Sequence, residues 1–190
     1  MPRFVAFLRA VNVGGRVVKM DALKKHFAEM GFADVESFIA SGNVVFSSKG
    51  GKGLDGKIAA ALERELGYAV ASFVRTTEEV AAAAAHAPFA EKNVAACPTY
   101  LVGFLSKELD VDAAKRLAAL ATDADRFHVR GRDFWWLSKH GQNKPAISGR
   151  ALEKALGQPT TLRNVNTIRR MAERYGSVPT PTATSRSRRR

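Results

Sequence analysis

The chain has 190 residues, 46% of them hydrophobic, which is enough to bury a sizeable core in one large domain or two small ones. Its net charge is +12, and four of those charges (Arg186, Arg188, Arg189 and Arg190) crowd the last five residues, leaving +8 on the rest. A single cysteine, Cys97, excludes an intrachain disulfide and fits a reducing, cytoplasmic setting. No apolar run approaches the roughly 20 residues that span a bilayer, so no membrane partner is expected. Phe4–Leu8, cut by Arg9, is too short for a signal-peptide core.

Phe4–Leu8 instead has the continuous apolar character of a mid-sheet strand. It runs into Arg9-Ala10-Val11-Asn12-Val13-Gly14-Gly15, a turn whose residues are chosen by backbone geometry. Met20, Leu23, Phe27 and Met30 keep helical spacing, and Gly31 stands where that helix stops. Val35–Ile39 and Val44–Ser47 flank Ser41-Gly42-Asn43 and predict a hairpin. Beyond Gly50-Gly51-Lys52-Gly53, a second amphipathic helix is predicted from Leu54, Ile58, Ala61, Leu62 and Leu66, with Gly67 ending it. Val70–Arg75 is a fourth strand, and the order βαββαβ is that of the ferredoxin-like, split βαβ unit.

Thr76 and Glu79 form a capping box that opens an alanine-rich connecting helix, Val80–Ala87, which stops before Pro88. The order of elements then recurs. Thr99–Leu105 is a strand, and Asp110 caps a helix carrying Ala113, Leu117 and Leu120. Phe127–Arg130 and Phe134–Leu137 flank Gly131-Arg132-Asp133. Ser148 caps a helix with Leu152, Ala155 and Leu156, which Gly157 ends before a strand at Thr160–Arg163. The two halves duplicate an order of elements without a residue-by-residue repeat. A last helix carries Ile168, Met171, Ala172 and Tyr175 on one face and Arg169, Arg170 and Arg174 elsewhere. The expected fold class is α+β: two tandem ferredoxin-like domains at 1–75 and 98–176, a connecting helix and linker at 76–97, a C-terminal helix, and a disordered basic tail at 177–190.

Several segments together resemble one bacterial family. They are LRAVNVGG (Leu8–Gly15), VKM (Val18–Met20), GF (Gly31, Phe32), IASGNVVFSS (Ile39–Ser48), FVRT (Phe73–Thr76), PF (Pro88, Phe89), and Ala151–Gly157 followed by Pro159–Thr167. This pattern is similar to the domain-of-unknown-function 1697 family over residues 1–176. The resemblance implies two ferredoxin-like domains and brings no activity, substrate or catalytic residue. The chain departs from the family pattern at Ala10, where glycine is usual, and at Gly141-Gln142-Asn143-Lys144-Pro145, where the pattern reads Gly-Arg-Ser-Lys-Leu.

Three segments are candidate sites. Asn12–Gly15 precedes a helix and can cradle a phosphate with backbone N–H groups, with Arg9, Arg16 and Lys19 nearby; a loop that simply needs glycine is the plainer reading. It is neither a P-loop nor Gly-x-Gly-x-x-Gly. Ser41-Gly42-Asn43 sits between strands, which suits a hairpin turn and not a nucleophile elbow. In Thr160–Thr167, Arg163 can hold a carboxylate or phosphate bidentately, and Asn164 or Asn166 can cap the helix. Trp135 and Trp136 alternate faces, so one is expected at the surface beside Arg130, Arg132, Lys139 and Lys144, where it would stack a base; packing between domains is plainer. His26, His86, His128 and His140 show no ligand spacing, so neither a metal nor a cofactor is expected, and Cys97 reads as an inert thiol.

The leading expectation is a polyanion-binding protein, nucleic acid foremost, with Arg169, Arg170 and Arg174 on phosphates and Trp135 or Trp136 on bases. The alternative is an enzyme or sensor for a small phosphorylated or carboxylated ligand, held by Arg9, Asn12, Gly14, Gly15, Lys19, Ser41, Asn43, Arg163 and Asn164. The third is an interaction scaffold, such as a homodimer formed across an open sheet.

Overall fold

A computed structural model of the chain describes residues 1–12, 15, 17–39, 42–141 and 145–176. The apolar run becomes strand β1 (Arg3–Arg9) and lies in mid-sheet. Around it, helix α1 (Met20–Glu29) leads to strands β2 (Ala33–Ser37) and β3 (Asn43–Ser47), and helix α2 (Leu54–Leu66) leads to β4 (Ala71–Thr76). Neighbouring strands are all antiparallel, in the order β2-β3-β1-β4. Strand alternation sorts β1 cleanly: Phe4, Ala6 and Leu8 pack under α1 and α2, whereas Val5 and Phe7 enter a second core on the opposite face.

The capping box forms as the sequence requires. Thr76 Oγ1 accepts from Glu79 N–H at 3.1 Å and Glu79 Oε2 accepts from Thr76 N–H at 2.8 Å, opening α3 (Thr77–Ala85). A short helix that the periodicity does not reveal, α4 (Glu91–Ala95), follows; five residues are too few to display a period. The second half then runs β5 (Thr99–Leu105), α5 (Val111–Ala118), β6 (Asp125–Arg130), β7 (Asp133–Ser138), α6 (Gly149–Leu156), β8 (Thr160–Asn164) and α7 (Val165–Tyr175). Its sheet order, β6-β7-β5-β8, repeats the first. Among the described residues, no helix is long and apolar enough to cross a membrane.

The inner faces of the two sheets meet α3 and α7 in one shared core that includes Val5, Phe7, Phe73, Phe104, Trp135, Ile168 and Met171. Here the duplication becomes visible residue by residue. Phe7 and Phe104 stack at 4.0 Å between centroids, 7° from parallel. Leu8 N–H donates to Gly42 O at 2.8 Å, and Leu105 N–H donates to Arg132 O at 2.9 Å. Each closing strand sends an arginine into the other half. Arg75 of β4 donates to Leu105 O, Arg132 O and Asp133 Oδ1 at 2.8–3.0 Å. Arg163 of β8 donates to Leu8 O at 2.9 Å and Asn43 Oδ1 at 2.6 Å. Asp133 faces Phe104 across its ladder as Asn43 faces Phe7, so an acid on one side stands where an amide stands on the other.

Candidate functional site

The duplication is broken at the second helix of each half, and a cleft opens there. The 13-residue α2 and the 8-residue α6 both end on a left-handed glycine, Gly67 at φ +75° and Gly157 at φ +65°. Counting back from these glycines, Leu62 matches Leu152 and Ile58 matches Ser148. In the first half, Leu54 and Ile58 are buried in the layer beneath α2. In the second half, the helix only begins at Ser148, whose hydroxyl accepts from Ala151 N–H at 3.2 Å. The five missing residues, about one and a half turns, leave a cleft of about 410 Å³ between the sheet, α6 and the segment holding Pro145 and Ile147.

The cleft floor is apolar, built from Leu101, Trp136, Leu152 and Leu162. Its polar end is built from Thr99, Ser138, His140, Asn164 and Thr167. Two of these hydroxyls already serve the backbone: Thr99 donates to His140 O at 2.7 Å, and Ser138 Oγ accepts from His140 N–H at 3.1 Å. Asn164 caps α7, its Oδ1 accepting from Asn166 N–H at 2.9 Å, and its amide N–H₂ keeps no partner among the described residues. The Thr167 hydroxyl is in the same position, and the His140 ring has no hydrogen bond there either; its Nε2 stands 3.9 Å from the buried Asp125 carboxylate, within ion-pair reach and beyond a hydrogen bond. Hydrogen-bonding groups thus gather where the positive end of the α7 dipole lies, opposite an apolar floor. Thr99 and Ser138 are tied to backbone, and no general base stands within hydrogen-bond reach of the Thr167 hydroxyl among the described residues, so the arrangement suits binding better than nucleophilic chemistry.

The predicted residues divide sharply. Arg163 and Asn164 line the cleft. The arginine also binds Thr161 Oγ1 and Leu162 O, at 2.8 and 2.9 Å, and burial pushes its pKa down to about 10. Through Arg163 the cleft touches the junction of the β1–α1 and β2–β3 loops, because Leu8 O and Asn43 Oδ1 are its acceptors. Asn43 itself is fully buried, with its amide on Phe38 O at 3.1 Å, so it is a brace inside the fold. Arg9 is ion-paired to Glu153 of α6, and Glu153 Oε1 also accepts from Thr160 N–H at 3.1 Å. Asn12 Oδ1 accepts from Val18 N–H at 2.8 Å and closes its own loop. Gly15 adopts φ +79°, and Lys19 is an exposed residue preceding α1. Gly14 and Ser41 lie outside the described residues, as do Arg16, Lys144 and the tail.

Backbone strain collects around the same junction. Ala10 has φ +65° and Ile39 has φ +58°, on either side of the Leu8–Gly42 contact. Only three described residues other than glycine have positive φ, and the β-branched Ile39 is the costliest of them. Glycine would adopt the Ala10 conformation without the steric cost that a Cβ brings.

The tryptophan expectation is corrected. Trp135 is 1% exposed and Trp136 is 3% exposed, because both faces of β7 are covered, one by the shared core and one by α5 and α6. Neither ring is available to stack a base. Arg169, Arg170 and Arg174 are exposed on α7, but Arg174 is paired with Glu36 at 3.0 Å and Arg170 stands over the Phe38 ring. Pattern reading did not offer Thr99, Ser138, His140, Ile147, Leu152 or Thr167 as ligand-site residues; the difference in helix length between the halves is the sequence signal that leads to them. No described cluster of three or more His, Cys, Asp or Glu residues is placed to hold a metal ion.

These features define an α+β protein with two four-stranded antiparallel sheets and a cleft in its second half. The sequence model of a protein family of unknown function, DUF1697, matches residues 1–135, and the chain belongs to that family. The match stops before the helix and strand that complete the cleft. A solved structure of a conserved bacterial protein from Streptococcus pneumoniae has the same fold, with a TM-score of 0.72 at 21% identity, covering 93% of this chain and 99% of that one. No curated protein matches the chain.

Proposed function

We propose that the protein binds a small molecule with an apolar body and an anionic carboxylate or phosphate head, held in the cleft beneath α6. The observation that carries this reading is the absence of the helical turns that fill the corresponding space in the first half. The apolar body lies on Leu101, Leu152 and Leu162. The head meets the Asn164 amide, the Thr167 hydroxyl and the His140 ring, near the α7 dipole. Thermal-shift screening of small carboxylates and phosphates tests it. Gly149, at the cleft rim, has nothing within 4 Å of an added Cβ, so Gly149→Phe should fold and block entry. A stabilising ligand whose effect Gly149→Phe abolishes supports the reading; a panel that shifts neither protein refutes it.

Each half is read as a ferredoxin-like unit, with 1–75 and 98–176 as tandem domains. Support comes from the βαββαβ order and the matched strand orders of the two sheets.

A second reading is polyanion contact through α7, favoured by three exposed arginines on one helix and the net charge of +12. Replacing Arg169, Arg170 and Arg174 with glutamate should abolish salt-dependent nucleic-acid binding by the full chain. Unchanged binding would place the contact elsewhere.

A further inference from the structure

The two adjacent tryptophans differ in one respect that packing does not explain. Trp136 donates its indole N–H to Asp125 Oδ1 at 2.9 Å. Trp135, buried just as deeply, has an Nε1 with no acceptor among the described residues. A buried indole N–H ordinarily has a partner. Trp135 lines a second cleft, of about 240 Å³, between α3 and the β6–β7 turn, separate from the one under α6. The wall facing it is made of Ala82 and Ala83, so the space persists because α3 presents methyl groups there.

The charges around this cleft are unevenly matched. Asp133 is held by Arg75, and Glu79 is held by Arg132 at 3.0 Å. Two charges remain without an ion pair among the described residues, Arg130 and Glu108, and both line the cleft. Arg130 Nη1 reaches only His86 Nδ1, at 3.4 Å. The cleft therefore offers an unpartnered donor in the Trp135 indole and a cation in Arg130, and Glu108 offers an anion.

The geometry points to a second ligand site that takes a small zwitterion of the α-amino-acid class. Its carboxylate accepts from the Trp135 indole and the Arg130 guanidinium, and its ammonium pairs with Glu108. The alanine wall and the small volume restrict it to short side chains. The ligand's carboxylate supplies the acceptor that Trp135 lacks, and its opposite charges answer the two unpaired side chains.

The chain has two tryptophans, and each lines a different cleft, so they report separately. In a ¹H–¹⁵N spectrum of the full chain, glycine, L-alanine and L-serine should move the Trp135 indole resonance saturably while the Trp136 resonance, fixed on Asp125, stays. Acetate and ethylamine, each carrying half of the recognition, should bind at least about tenfold more weakly than L-alanine. Arg130→Gln and Glu108→Gln, both at exposed positions, should fold and each weaken L-alanine about tenfold or more. No movement of the Trp135 resonance with any of the three amino acids overturns the proposal. Equal affinity for acetate and L-alanine, or unchanged affinity in both variants, overturns it as well. A ligand of the cleft beneath α6 moves Trp136 instead, so failure here leaves that reading to its own test.

Discussion

Replacing Arg75 with methionine should be among the most damaging single changes available in this fold. The side chain is 1% exposed and lies between the two halves, donating to Val74 O, Leu105 O, Arg132 O and Asp133 Oδ1. Methionine matches its length and supplies none of the donors. Three carbonyls would lose a donor and the Asp133 carboxylate would lose its cation, a loss of about 3–5 kcal/mol for breaking a buried pair. Asp133→Asn is the informative contrast. Burial raises the Asp133 pKa even though Arg75 pulls it down, so the folded protein carries that charge at a cost. The first half already uses an amide, Asn43, at the matching position against Arg163. Asp133→Asn should therefore cost only about 1 kcal/mol. For a chain of this size, those losses correspond to falls in Tm of roughly 6–20 °C and about 2–4 °C. The sign with pH follows from the raised pKa. The stability that Asp133 contributes is full below its unfolded value of 3.8 and is lost as pH rises through the higher folded value, so the gap between wild type and Asp133→Asn should narrow over that window. Urea denaturation of both variants across a pH series reads all of this. Equal losses for Arg75→Met and Asp133→Asn would refute the reasoning.

Other expectations follow from single residues. Ala10→Gly relieves a left-handed alanine at φ +65° and should stabilise the protein by about 0.5–1 kcal/mol in urea denaturation; a destabilised variant would show the strain is not there. Gly103→Ala drives a Cβ to 2.2 Å from the buried Phe134 ring and should cost about 3 kcal/mol or more by the same assay. The matching pair in the first half is Ala6 opposite Val44, so adding Phe134→Val should restore much of that loss. Burial, then His128 and Arg130, lower the His86 pKa. Its contribution is therefore intact above the unfolded value of 6.5 and declines as pH falls below that, toward the folded value. His86→Gln should flatten this acid-side decline, and an unchanged pH profile of Tm would count against it.

The fold was largely legible because its signals are local. Apolar runs, the Thr76–Glu79 box, the Asp110 and Ser148 caps and the terminal glycines Gly67 and Gly157 each depend on residues within a turn or two. The arginine exchange was not legible. Arg75 lies near the end of a largely apolar strand and Arg163 near the end of a polar one, and only the stacking of two sheets gives them the other half's carbonyls to reach. The tryptophan pair misled for a related reason. Alternation sends the two rings to opposite faces, but it does not say that both faces are covered. The cleft is a different case. Its cause, a helix of 8 residues where its counterpart has 13, was written in the spacing, and it becomes informative only once the halves are known to be superposable.

Ligand binding beneath α6 is read most directly in a native mass spectrum of the full chain, taken as purified and after incubation with the carboxylate and phosphate panel. The wild type should carry a one-to-one small-molecule adduct that Gly149→Phe loses and that Thr167→Ala weakens. A bare chain in every wild-type spectrum, or an adduct that Gly149→Phe retains in full, would contradict binding in that cleft.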